Sequence, residues 1–300
     1  MRETLALLSR KGGNGKTSTA SAITAGFLSK GYRVLVVDMD GQGSISHIMR
    51  AEPGASVLDV LTGEADIRSA IQHTDAGDII AANPGLYMAD MSLTGQGREF
   101  LLRDALEAVK ADYDLVVLDT LPSFGVLTLN AMAAASGVII PAQSDALSIM
   151  ALRQSYELIQ SARQAVNPSL AIWGILLTRY NPRSVLNRDI ADTFAEAAQS
   201  MGTRLFKARI RDGVAVKEAQ ARQQDIFTYA KRSNPAKDYG AFVDELEAVL
   251  KEAGQKWRLR ASKGMGLCGA RLTSRKRRKI NRRTKKKKNR RMKKRISRRL

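Results

Sequence analysis

Leu5-Ala-Leu-Leu-Ser-Arg-Lys-Gly-Gly-Asn-Gly-Lys-Thr-Ser-Thr19 is the stretch from which the fold of this 300-residue chain is read. Four apolar residues in a row predict a short buried strand. A glycine-rich turn follows, then Lys16 and Thr17, then a run of small residues from Ser18 to Phe27 that suits a tightly packed helix. Strand, loop and helix in this order are the setting a phosphate-binding P-loop requires. Gly12, Gly13 and Gly15 let successive backbone N–H groups turn inward around an anion, where side chains would obstruct them. A helix opening at Lys16 adds its positive dipole end. The Lys16 ammonium can reach the β- and γ-phosphates, and the Thr17 hydroxyl is placed to ligate Mg²⁺. Asn14 and Ser18 complete the expected cradle.

The common pattern wants glycine six residues before the lysine, and Arg10 stands there instead, followed by a second lysine, Lys11. This Lys-Gly-Gly-Asn-Gly-Lys-Thr loop resembles the deviant Walker A motif of the ParA/MinD family of ATPases. The resemblance implies ATP and Mg²⁺ as cofactors. It also implies that Lys11 crosses a dimer interface to touch the nucleotide held by the partner subunit, which places it among the catalytic residues with Lys16.

Charge divides the chain. Residues 255–300 carry 23 Lys and Arg and no Asp or Glu, which leaves 26 basic against 29 acidic residues in 1–254. The net charge of +20 therefore belongs to the tail. The body is long enough to bury a full α/β core. The one cysteine, Cys268, lies in the tail, which excludes a disulfide framework and an iron–sulfur site built on body cysteines. No apolar run approaches the roughly 18 residues of a membrane span, and the N-terminus enters the first strand without a signal-type segment. A cytoplasmic protein is expected, and a domain boundary at 254/255.

A second apolar strand, Val34–Val37, ends in Asp38-Met-Asp-Gly-Gln-Gly43. Carboxylates at the carboxyl end of a parallel strand lie where doubly wound folds place their ligands. Asp38 and Asp40 are two apart and point to one side of an extended chain. The segment resembles the family's D-x-D-P-Q-G switch, which implies that Asp40 orients the water attacking the γ-phosphate and meets Mg²⁺ through water. Gly41 stands where that pattern has proline, so a looser switch is expected. His47 and His73 are the only histidines and have no companion ligands, so packing or surface roles are expected for both.

Further along, an amphipathic helix is predicted over 97–110 and a strand over 78–81. Tyr113-Asp-Leu-Val-Val-Leu-Asp119 is an apolar strand closing on a carboxylate, the arrangement that aims an aspartate at Mg²⁺ through its water shell. Residues 119–123 resemble the family's second switch, with Leu121 where proline is usual. A small-residue helix over 125–136, a strand 138–140 ended by Pro141, and the Pro-Ala-Gln-Ser segment after it are similar to ParA proteins. Helices over 147–163, 185–199, 214–221 and 237–253 and strands over 170–178 and 206–211 complete the body.

Residues 176–240 carry 12 basic and 7 acidic residues, whereas 1–175 carry 13 and 18. Arg183, Arg188, Lys217, Arg222, Lys231 and Arg232, with Lys207, Arg209 and Arg211 nearby, are candidates to cradle a DNA backbone, and ParA relatives bind DNA without sequence preference through this part of the chain. Runs such as Arg275–Lys279 in the tail cannot bury enough apolar surface to fold alone, so disorder, or a helix induced on binding, is expected there. The tail would attract nucleic acid by counterion release. Its composition is equally compatible with a fusion or a frameshifted reading frame.

The expected architecture is thus a doubly wound, mainly parallel α/β sheet of the P-loop NTPase kind with a basic tail. The resemblance implies a ParA-type partition ATPase of plasmids or the chromosome, associated with nucleoid or plasmid, that hydrolyses ATP slowly, forms a homodimer on ATP, binds DNA non-specifically and works with a ParB-like centromere-binding protein. A MinD-like membrane-positioning ATPase is the alternative, for which the tail lacks an apolar face, so membrane association is not expected. A nucleic-acid-binding protein acting mainly through its tail is another.

Overall fold

The computed structural model describes residues 2–253; the expectations for the tail lie outside them. A compact unit spans Met1–Leu250. Its elements in chain order are β1 Glu3–Leu7, α1 Lys16–Ser29, β2 Val34–Met39, α2 Ser44–Ile48, α3 Val57–Thr62, α4 Ile67–Ala70, β3 Ile71–Thr74 and β4 Gly77–Ile80. A 3₁₀ turn, Pro84–Met88, runs into α5 Ala89–Ser92, followed by α6 Leu101–Leu106, β5 Leu115–Thr120, α7 Val126–Ala134, β6 Gly137–Gln143 and α8 Ala146–Ala165. Then come β7 Ala171–Tyr180, α9 Val185–Ser200, β8 Leu205–Arg211, α10 Val214–Ala221 and α11 Ile226–Ala230, and a last helix, α12, over 234–253.

The eight strands form one sheet in the order β3-β4-β2-β5-β1-β6-β7-β8. Every pairing is parallel except the β3–β4 hairpin. The central strands read as unbroken apolar runs because both faces are covered. Alternate residues supply the two cores: Ala6, Leu35, Val37, Val116 and Leu118 face one layer. Leu5, Leu7, Val36, Leu115 and Val117 face the other, where Ile23 and Phe27 of α1 meet Phe242 and Leu246 of α12. Among the described residues no helix is long and apolar enough to cross a membrane.

The sequence-based expectations need three corrections. The strand ended by Pro141 instead continues through it to Gln143. The Ile139 carbonyl accepts from Leu8 N–H, so residue 141, two along, faces the same side, where β1 has already ended. The amide hydrogen that proline lacks has no ladder partner to lose there. The helix expected over 97–110 is helical only at Leu101–Leu106. The buried Asn130 side chain accepts from Leu102 N–H and donates to the Arg98 carbonyl, which fixes the chain entering α6 as a turn. The hairpin strand β3 escaped prediction because Ile71-Gln-His-Thr74 holds a single apolar residue.

The β8 edge is closed by α12. Glu245 accepts from the Lys207 and Ala208 amides, and Asp238 accepts from the Arg211 amide while gripping its guanidinium.

Candidate nucleotide-binding site

Strand β1 lies between β5 and β6, and the chain leaves it to build β2 on one side and β6 on the other. Its carboxyl end is therefore the switch point at which doubly wound sheets open a crevice. The loop that fills it has Gly13 at φ 75° and Gly15 at φ 84°, the left-handed region glycine enters without steric cost. Neighbouring strands pin it. Thr178 Oγ1 donates to the Asn14 carbonyl at 3.0 Å, and Gln143 Nε2 donates to the Gly13 carbonyl at 2.7 Å. In a trans peptide the N–H points opposite to the preceding C=O, so fixing these carbonyls turns the Asn14 and Gly15 amides the other way. A Cβ on Gly15 would sit 3.5 Å from Thr178 Cγ2, so loop and strand are already in contact.

The loop borders a cleft of about 970 Å³, lined also by Asp40, Gln42, Tyr87, Leu121 and the Arg211–Gly213 turn. Gly12, Gly13, Gly15, Lys16, Thr17 and Ser18 all reach it. Asn14 does not: it is buried, donating from Nδ2 to Ser9 Oγ at 2.7 Å, and shapes the loop from behind. Ser18 Oγ accepts from Gln220 Nε2. Lys16 is buried, and that burial lowers its ammonium pKa against the opposing pull of the Asp119 and Asp40 carboxylates. A cation held this way is available to an anionic ligand.

Asp119 ends β5 at 1% exposure. Both of its buried carboxylate oxygens lack a hydrogen-bond partner of good geometry among the described residues. Burial raises its pKa to about 8, the Asp38 charge adds to the rise, and the Thr17 hydroxyl and Lys16 ammonium oppose it. An orphaned carboxylate beside a threonine hydroxyl fits Mg²⁺, which is held by one or two carboxylates with phosphate oxygens and waters completing the octahedron. Among the described residues no group of three or more His, Cys, Asp or Glu could hold a metal alone, so a nucleotide would have to supply the remaining ligands.

Asp38 differs. Its oxygens accept from the Asp40 amide at 3.1 Å and from the Ser46 amide and hydroxyl at 3.0 and 2.7 Å. Burial still lifts it to about 6, those bonds opposing and the Asp40 charge adding. It organises the switch from within, leaving Asp40, half-buried, on the cleft, where the Gln42 amide donates to its Oδ1. At Gly41, where a looser switch is expected, the Tyr87 ring lies against the chain. His47 borders the cleft with Gln223 beside it, and His73 pairs with Asp78 on the surface.

Lys11 is tied within its own chain. Its ammonium bonds Asp145 Oδ2 at 2.5 Å and Ser148 Oγ at 3.2 Å. Burial raises the Asp145 carboxyl, but Lys11 and the Ser148 amide outweigh it and hold the group below the usual carboxylate range. Arg183, Arg188, Lys217, Arg222, Lys231 and Arg232 are all exposed, with Lys217 also on the cleft wall. Two neighbours are already engaged: Arg211 grips Asp238, and Arg209 lies over the Tyr180 ring and donates to its hydroxyl. Sequence reasoning missed Thr178, Gln143, Tyr87 and Asp145 as partners of the loop and switches. Only Gln143, in the Pro-Ala-Gln-Ser segment that closes β6, carried a signal.

Fold and loop together define a P-loop nucleotide-binding protein. A family model described as an AAA domain matches residues 2–172. The chromosome partitioning protein ParA of Caulobacter vibrioides is 36% identical over 234 residues, covering 75% of this chain and 86% of its own. The sporulation initiation inhibitor protein Soj of Bacillus subtilis is 33% identical over 254 residues, covering 83% and 99%. Among solved structures, cobyrinic acid a,c-diamide synthase from Mycobacterium smegmatis with bound ADP and magnesium superposes with a TM-score of 0.72 at 32% identity, covering 84% of this chain and 96% of that one. The chain belongs to the ParA/MinD family of P-loop ATPases.

Proposed function

We propose that this protein is a ParA-type partition ATPase of the bacterial cytoplasm. Lys16 and the loop amides hold the β- and γ-phosphates of ATP, Thr17 and, through water, Asp119 hold Mg²⁺, and Asp40 orients the attacking water. Held there by Thr17 and Asp119, the ion would supply neutralisation of phosphate charge. The protein's own part is positioning and charge placement in a partly closed cleft. ATP binding is expected to join two copies face to face, Lys11 leaving Asp145 for the partner's nucleotide. The dimer then holds DNA without sequence preference, and a ParB-like partner stimulates hydrolysis and release.

One observation carries the dimer. Among the exposed large apolar side chains, Phe124, Leu147, Met150, Leu186 and Val214 follow the carboxyl ends of strands β5 to β8, the sheet edge that holds the cleft. Apolar surface gathered on one functional edge marks an interaction face.

The test is binding of random duplex DNA by the full chain and by residues 1–254, each with ATP plus Mg²⁺ and with ADP, at near-physiological salt. The partition reading expects the body alone to bind only with ATP. Binding by the full chain in both states, with none by the body, would overturn it and leave the tail as the source of affinity.

A further inference from the structure

The segment over 84–92 touches both switch loops at once. Leu86, Ala89 and Leu93 anchor it at 2–3% exposure, the spacing of one buried helical face. On its outer side the Tyr87 ring lies against the first switch. A Cβ placed on Gly41 would meet three atoms of that ring, each at 3.2 Å, so the ring rests on the backbone between Asp40 and Gln42. Three residues on, Asp90 reaches the second switch. Its Oδ1 accepts from the Val126 amide at 2.7 Å, capping α7, and a Cβ on Gly125 would fall 2.6 Å from its Oδ2. Residues 120–125 lie between the Asp119 carboxylate and that cap, and Leu121 and Pro122 share the cleft wall with Tyr87 and Asp40.

We infer that residues 84–92 are a strap joining the two switches, with Tyr87 and Asp90 as positioning residues for hydrolysis. The stacked ring substitutes for the ring a proline at position 41 would have supplied, but it does so from another part of the chain. It restricts the Asp40 backbone only while the strap is seated. Beside its buried apolar anchors, the strap is tied to the second switch by the Asp90 cap on α7. A movement of the second switch is thereby felt at Asp40, and the reverse. At Gly41 and Gly125, one in each switch, a side chain would press against the strap.

The kinetic half of this inference rests on the ATPase reading above, so a second readout is kept independent of it. In the full-length protein, ATP turnover is measured for Tyr87→Ala, Tyr87→Phe and Asp90→Asn, with amide hydrogen exchange of the nucleotide-free chains. Displacing a positioned group by about 1 Å costs up to roughly a hundredfold in rate, so Tyr87→Ala is expected to lower kcat about tenfold with KM within about twofold. Tyr87→Phe keeps the ring and is expected to keep the rate. Exchange is expected to accelerate at 40–43 and also at 123–127 in Tyr87→Ala, and in both segments again for Asp90→Asn. Wild-type turnover in Tyr87→Ala, equal losses in the alanine and phenylalanine variants, or faster exchange confined to the switch nearest the substitution would overturn the strap. A wild-type chain that turns over no ATP would overturn the ATPase reading instead, and the exchange arm would still decide the strap.

Discussion

The Lys11 ammonium and the Asp145 carboxylate meet at 2.5 Å across 134 residues of sequence, which closes the loop's first lysine onto the start of α8 in its own chain. Both side chains keep roughly a third of their surface in water, so the pair contributes about 0.5–1 kcal/mol after screening. Asp145→Asn removes the charge yet retains an oxygen to cap Ser148 N–H. If the Lys11 of each copy must leave for its partner's nucleotide, two such pairs are lost per dimer, and this variant is expected to dimerise with ATP at roughly five- to thirtyfold lower protein concentration, with no change in ADP. Sedimentation velocity across a concentration series reads the difference. Weaker dimerisation would show instead that Asp145 works in the dimer.

Asp119 carries a pH signature. Its folded pKa of about 8 exceeds the ordinary unfolded value near 3.9. Between those limits the folded chain holds a proton that the unfolded chain has lost. Stability of the nucleotide-free protein therefore falls as pH rises from about 4 towards 8. Asp119→Asn is expected to raise the Tm of the nucleotide-free chain by several degrees at pH 8 and very little at pH 4. With Mg²⁺ and ADP the order at pH 8 reverses, since only the carboxylate gains the metal. Scanning calorimetry at the two pH values checks both statements.

Thr178 holds the loop from behind with bonds to the Asn14 and Ala142 carbonyls. Thr178→Val keeps the shape and removes the donor. Losing a buried hydrogen-bond partner costs about 1–3 kcal/mol, and part of that falls on the loop conformation that receives phosphate. An affinity for Mg·ADP about tenfold weaker, with the thermal transition of the free chain shifted by only a few degrees, is the expected calorimetric result. Unchanged affinity would assign Thr178 to packing alone.

Arg183 and Arg188 are exposed on the loop and helix after β7. If they meet phosphates, each charge reversal is expected to weaken ATP-dependent DNA binding uniformly across sequences and to reduce the slope of log K against log salt by about one. Anisotropy titrations at several salt concentrations supply that slope. A slope that does not move would take these two arginines out of the DNA surface.

The sheet was legible because strands buried on both faces must be apolar throughout, as Leu5–Leu8 and Leu115–Leu118 are. The phosphate loop was legible because its chemistry is local: glycines, lysine and threonine act within one turn of chain. Its supports were not. Gln143 reaches Gly13 over 130 residues and Thr178 reaches Asn14 over 164, and no periodicity announces such meetings. The shortened helix at Leu101–Leu106 has the same cause, a buried Asn130 that sits 28 residues from the amide it caps. At Gly41 the sequence shows the missing proline and not the tyrosine that lies over it.

The acidic clasp on β8 has a consequence for assembly. A free strand edge invites a further strand from any passing chain. Here the outward amides of Lys207, Ala208 and Arg211 are already taken by Glu245 and Asp238. Copies of this protein are thereby discouraged from growing edge to edge into an open-ended ribbon. That leaves the proposed ATP-gated pairing to use the face around the cleft rather than the β8 edge.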